Sequence, residues 1–271
     1  MRRQVVPDAS MAEWIRVSCA ALCRIEHGGK FLLLLNRNRR AKGIYRLGPI
    51  GGALELLDSS YLKLFEAIPE DAAKNDLRLT IPHRLLPSFK QWFYSGMGRE
   101  QSPFRELYEE LVIEAKLLAD LRQEDIACKL VWTIEDQDFT DRQGQTGLLT
   151  QYFLEVYDIK FKTPQTLGPL LTPSDESGAL WLTENQITDG DTVRLQIDGA
   201  ERDVHLRGQV VVRPPGSAGS IAPWLRVTQE RQAVDVKDTA TQAGESPPHH
   251  TPDQPATPDP DTLSTLDSDK G

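Results

Sequence analysis

An α+β fold built on a mixed sheet is the class this sequence predicts, and three observations predict it. Apolar runs near the N-terminus and mid-chain read as strands, and one well-capped amphipathic stretch reads as a helix. The 271 residues also carry an ordinary globular balance, 39% hydrophobic and 26% charged. A chain of this length allows one large domain or two small ones. The formal charge of −9 is uneven: residues 232–271 hold eight acids against Lys237 and Lys270, which leaves the rest near neutral. A strongly basic chain that neutralises phosphates is excluded, so stable nucleic-acid binding is not expected.

Residues 1–13 read as an N-terminal extension. Met1-Arg2-Arg3 is basic, but no apolar segment follows to make a secretory signal. The longest purely apolar run, residues 31–35, is far too short to span a bilayer. Cys19, Cys23 and Cys128 make no disulfide framework and read as free thiols in a reducing compartment. A soluble, cytoplasmic protein with no membrane partner is the expectation. Residues 15–25 and 30–35, joined by His27-Gly28-Gly29, predict a strand hairpin. Residues 49–55 follow an apparent strand and form a tight loop that its glycines permit. Leu77, Leu79 and Ile81 alternate like a short strand, and Phe89, Trp92, Phe93 and Tyr94 supply aromatic anchors after it.

The clearest helix covers residues 103–118. Ser102 suits the N-cap and Pro103 the first helical position. Phe104, Leu107, Leu111 and Leu118 form an apolar stripe, and Glu106, Glu109, Glu110 and Glu114 stand opposite. Residues 130–134 and 151–157 read as strands flanking a polar loop, 135–147, that carries Glu135, Asp136, Asp138 and Asp141. A late strand pair, 193–197 and 203–212, is split by Asp198-Gly199, a strong hairpin signal. Residues 191–231 thus form a C-terminal β extension, with a flexible connection at 214–220. Residues 232–271 are Pro-, Thr-, Ala- and Asp-rich, hold no aromatic residue, and read as a disordered acidic C-terminal tail in which His249-His250 is incidental.

Glu106, Glu109 and Glu110 project toward one side of their helix, where like charges repel by a few tenths of a kcal/mol per pair, or about that. A solvated face tolerates this, and a site for hard divalent ions exploits it. Residues 51–55 (Gly-Gly-Ala-Leu-Glu) and 105–110 (Arg-Glu-Leu-Tyr-Glu-Glu) together resemble the two halves of the Nudix box. That motif is a Gly, five residues, a Glu, seven residues, then Arg-Glu-aliphatic-any-Glu-Glu-any-Gly-aliphatic; here Gly52 opens it and Ile113 closes it. The opening strand hairpin and Trp181-Leu182-Thr183-Glu184 are also similar to Nudix features. The resemblance covers residues 14–190. The sequence is similar, too, to the Nudix domains that accompany nucleotidyltransferases in bacterial cyclic-oligonucleotide antiphage systems.

This resemblance implies an α/β/α sandwich with a mixed sheet and a helical insertion, 59–99, inside the box. Asp58 stands at the first spaced Glu, and 46 residues separate it from Arg105 where the family has seven. Val112 replaces the box's second Gly. The insertion has three readings: a cover over the phosphate site, a subunit interface that would make a homodimer, or packing on the sheet. The last two are favoured over direct substrate reading. The resemblance further implies Glu106, Glu109 and Glu110 as ligands of Mg²⁺, or of Mn²⁺ in its place. Glu109, Glu110 and Arg105 form the implied catalytic set, with Arg105 orienting a carboxylate. Gly51, Gly52 and Glu55 support the cofactor. A carboxylate from 135–141 is a candidate to complete the site, and Arg37, Arg39 and Arg40 are candidates to meet phosphates. The implied activity is hydrolysis of a pyrophosphate bond in a nucleoside diphosphate linked to another moiety. Its alternative is a nucleotide-sensing effector of an antiphage system with little or no hydrolysis; either way the partner is a nucleotide-type small molecule.

Overall fold

β1 (Trp14–His27) organises the molecule. Ile15, Val17, Cys19, Ala21 and Cys23 are fully buried, as the alternation of a central strand requires. One edge of β1 pairs in parallel with β8 (Leu149–Phe161), from Arg16↔Thr150 to Ile25↔Ile159. Two strands share the other edge: β6 (Arg78–Pro82) covers Trp14 to Ser18, and β4 (Ile50–Ala53) covers Ala20 to Cys23. The handover falls at Cys19, whose N–H donates to Leu77 O (2.9 Å) and whose carbonyl accepts from Leu54 N (3.0 Å). β5 (Ile68–Pro69) flanks β6, while β7 (Ile126–Phe139) flanks β8 and β12 (Arg226–Thr228) flanks β7. The structure is a computed structural model, and it describes residues 13–140, 146–174, 177–214 and 226–228. Residues 1–12, Asp141, the connection at 215–220 and the tail at 232–271 lie outside the described residues.

The predicted hairpin forms, but it opens at once. β2 (Lys30–Leu35) meets β1 only at Glu26↔Phe31 and His27↔Lys30. It then runs between β3 (Arg46–Gly48) and β9 (Ala179–Thr183). Its five apolar residues are all buried, so it serves as the middle strand of a second sheet region rather than as a half-wet partner of β1. β11 (Ala200–Leu206) adds in parallel to β3, and β10 (Thr192–Ile197) pairs with β11. The C-terminal β extension is therefore part of the sheet. Its second strand is shorter than the sequence predicts: residues 209–212 are helical, and Val211 and Val212 are buried in the second core. The expectation of a mixed α+β fold holds, with a larger core around β1 and a smaller one under β2, β3 and β11.

The helices are short: α1 (Arg37–Arg40), α2 (Ser60–Leu64), α3 (Leu86–Ser95), α4 (Phe104–Tyr108), α5 (Pro164–Leu171), α6 (Glu184–Asp189) and α7 (Gln209–Val212). Among the described residues no helix is long and apolar enough to cross a membrane. Thr183 opens α6 through a reciprocal cap with Gln186.

α2, β5, β6 and α3 belong to the insertion, which packs on the sheet, one of the readings that the sequence leaves open. Leu79 and Ile81 pair beside β1, Leu77 O accepts from Cys19 N, and all three side chains are buried. Phe65, Phe89, Trp92 and Phe93 form an aromatic cluster, with the Phe93 ring 4.8 Å from Phe153 of β8. The segment leaves and returns through one zipped neck. Leu57 N donates to Gly98 O (2.8 Å), Leu56 bridges to Arg99, and Glu100 N donates to Glu55 O (2.9 Å). The split box is thereby rejoined in space.

Candidate active site

The glutamate helix starts one residue later than its composition predicts. Pro103 is the cap rather than the first helical residue, and Ser102 Oγ accepts from Phe104 N at 3.2 Å. Leu107 and Leu111 are fully buried, which turns the acidic face outward from the core. After Tyr108 the winding loosens, and residues Glu109–Glu114 form a π-helical turn with Ala115 N donating to Glu110 O at 2.8 Å. β-Branched Val112 and Ile113 sit inside this wide turn, where branching crowds tight α winding. Helix to residue 118 was expected, but Lys116 adopts φ +52 and ends it. Leu117 and Leu118 then fold back, both donating to Leu111 O.

The glycine strand lies directly against this helix. Gly51 has φ +146, and a β-carbon there would fall 2.1 Å from Ala21 O. At Gly52 a β-carbon would fall 2.1 Å from Glu106 Oε2. Only a bare backbone lets the carboxylate come this close. Gly51 N–H also donates to Glu110. The two distant halves of the motif therefore meet.

Arg105 is the hub between them. Its guanidinium donates to Ala53 O (2.6 Å), Glu100 (3.0 Å), Glu106 (2.7 Å) and Glu109 (3.4 Å), and lies 3.8 Å from Glu55. Burial weakens its charged form, but Glu100, Glu106 and Glu55 outweigh that and hold the proton more firmly than usual. Burial likewise raises Glu106, against the pull of Arg105. Glu110 goes further: burial, then the charge of Glu106, push its carboxyl up to about 8, against the Gly51 N–H. Such a carboxyl is short of positive charge, and with Glu106, Glu109 and Glu114 in the same lining it offers carboxylate oxygens, which suit a hard divalent cation. As they stand, no three acidic, His or Cys side chains among the described residues are grouped to hold a metal ion, and Arg105 engages Glu106 and Glu109.

A cavity of about 580 Å³ opens over the pair. Gly51, Gly52, Glu55 and Arg105 line it with Glu106, Glu109, Glu110 and Glu114. Arg37 reaches it, whereas Arg40 is spent on Asp198, with Nε–Oδ2 at 3.3 Å, and Arg39 is not in the lining. The strand β7 runs on through Glu135, Asp136 and Asp138, so these are not loop residues. Glu135 accepts from Lys90 (2.7 Å) and Tyr94 (2.5 Å) of the insertion, and none of the three lines the cavity. Asp58 is exposed and bonded to Ser60, which holds its pKa down.

Two features escaped the sequence. Glu100 does what the motif position would ask of Asp58: its Oε2 accepts from both Arg105 and Glu55 N. It lies at the end of the insertion, so spacing counted along the chain misses it. Arg99 and Glu155 form a fully buried ion pair (2.7 Å), with Tyr157 hydroxyl 2.8 Å from Glu155. Only its long-range contact marks it, and no periodicity does. The insertion also reaches the cavity, through Ala73 to Asp76 and Arg78. Packing is therefore only part of its placement.

The strand-framed glycine loop against an Arg-Glu helix defines a Nudix domain. The chain matches the family described as the SMODS-associated NUDIX domain over residues 14–200, and it belongs to that family. This places it with the antiphage-associated Nudix domains, and Nudix domains generally use divalent metals. No curated protein and no solved structure matches it.

Proposed function

We propose that this chain is a Mg²⁺-dependent Nudix-type hydrolase that cleaves a pyrophosphate bond of a nucleoside diphosphate linked to another moiety. The supporting observation is the contact of Gly51-Gly52 with Glu106 and Glu110 in the lining of a cavity about 580 Å³ in volume. Glu106, Glu109 and Glu110 would hold the Mg²⁺, or Mn²⁺ in its place. Bound divalent ions neutralise charge on the non-bridging oxygens and make a water nucleophilic. Arg105 keeps Glu106 and Glu109 on one side of the helix, and Glu100 and Ala53 O fix Arg105 in turn. Gly51 N–H donates to Glu110 in the same lining. Burial and the charge of Glu106 raise the Glu110 carboxyl to about 8, and a bound divalent cation would supply the positive charge that its ionised form lacks.

With Mg²⁺, the purified protein should release phosphate or a nucleoside monophosphate from a panel of nucleotide conjugates. Glu110→Gln should abolish that release, and turnover unaffected by it removes the assignment. A second reading, a nucleotide sensor within an antiphage system, draws support from the family match and from Arg105 engaging two of the three glutamates. Tight binding of cyclic oligonucleotides without turnover would favour it.

A further inference from the structure

The cavity is lined by side chains of both signs, contributed by different elements. The helix contributes Glu106, Glu109, Glu110 and Glu114, and two cations stand apart from them: Arg37, at the start of α1, and Lys74, on the insertion. The other lining cations are engaged, Arg105 by Glu100, Glu106 and Glu109, and Arg78 by Asp76 at 2.9 Å. Neither Arg37 nor Lys74 has a carboxylate partner among the described residues. The turn that presents Lys74 is braced at both ends. Ala73 N and Lys74 N donate to Asp71, Asn75 O accepts from Leu56 N (2.7 Å), and Leu77 N donates to Leu54 O (2.7 Å). The last two bonds tie the turn to the chain that leaves the glycine strand, so the backbone that carries Lys74 is fixed at the rim of the cavity, with the side chain exposed.

We infer that the insertion is a substrate-reading element, with Lys74 and Arg37 forming an anion subsite for phosphate groups beyond the bond at the glutamate wall. This rests on the cavity being the phosphate site of the proposed function. A ligand with one phosphate has too few anionic groups to meet both the glutamate-held cation and these two cations, and a polyphosphate has enough. Charge-assisted contacts from two free cations select for that length.

Calorimetry with ATP, inorganic tripolyphosphate and AMP tests this, with Ca²⁺ replacing Mg²⁺ to suppress turnover. Lys74→Ala should weaken ATP and tripolyphosphate about tenfold, and Lys74→Glu more. AMP should change less than about twofold, and Lys63→Glu, elsewhere on the insertion, should change none of the three. Lys74 is exposed, so the melting temperature of each variant should match the parent. Equal weakening of AMP and ATP, unchanged binding in Lys74→Glu, or no binding of ATP and tripolyphosphate by the parent each overturns the subsite. If the parent hydrolyses nothing while binding still depends on Lys74, the hydrolase reading falls and the subsite stands. Turnover without that dependence has the reverse meaning.

Discussion

Two adjacent glycines are required here for different reasons. The missing β-carbon at Gly51 would meet backbone, Ala21 O at 2.1 Å and Leu22 Cα at 2.9 Å, in a conformation that L side chains rarely adopt. Neither β1 nor β4 can yield without losing its pairing. Gly51→Ala should therefore cost about 2–4 kcal/mol of stability in urea unfolding. The β-carbon at Gly52 would meet only the end of the Glu106 side chain, which can rotate away. Gly52→Ala should keep the fold but displace that carboxylate, lowering kcat by about 100-fold with little change in the urea midpoint. If the two variants lose stability equally, Gly52 supports the fold rather than the site.

Among the elements, the glutamate helix depends on what precedes it. Its first turn follows directly from Arg99 to Gln101, and that segment is pinned to β8 by the buried Arg99–Glu155 pair and the hydroxyl of Tyr157, which is also 3.0 Å from Gln101 O. Removing one partner strands a buried charge. Glu155→Ala should cost about 3–5 kcal/mol by urea unfolding, and Arg99→Met added to Glu155→Leu should recover part of the loss. A double variant no better than the single would show that Arg99 is held by its bonds to Phe93 O and Glu100 O instead. This pair also marks the limit of what the sequence could reveal. β1, the β2 hairpin tip, the aromatic stripe of α3 and the acidic face of α4 were legible because periodicity and turn chemistry are local signals. Arg99, Glu100 and Glu155 were not, because their roles exist only once distant chain segments are brought together, 56 positions apart for Arg99 and Glu155 and 45 for Glu55 and Glu100. The π turn at Glu109–Glu114 and the helix at Gln209–Val212 were missed for another reason: local propensity does not specify how Val112 or Val211 packs.

At the scale of the whole molecule, the insertion poses a question of architecture. The neck at Leu56–Arg99 is closed by backbone pairing, and Glu100 already sits beside Glu55. A chain with 57–98 replaced by a two-residue turn would thus keep every contact of Arg105 described above. An accessory segment would then be dispensable. But β6 also supplies the only described pairing on its edge of Trp14 to Ser18, and Phe89 and Phe93 pack on Phe153, with Phe65 and Trp92 against Phe89. Deletion would leave an open apolar strand edge beside an uncovered aromatic, a template for aggregation. Losing even two of those buried rings costs about 6–10 kcal/mol, comparable to the whole stability of a domain. The deletion variant should therefore fail to give a soluble monomer in size-exclusion chromatography, although its box geometry is intact on paper. A soluble monomer with a cooperative melt would mean that the insertion was added to a sheet already complete without it. The expected failure would mean that the domain surrendered part of its own core to the segment that also lines its cavity, so the two roles cannot be separated by truncation and must be separated by surface substitutions such as Lys74→Glu.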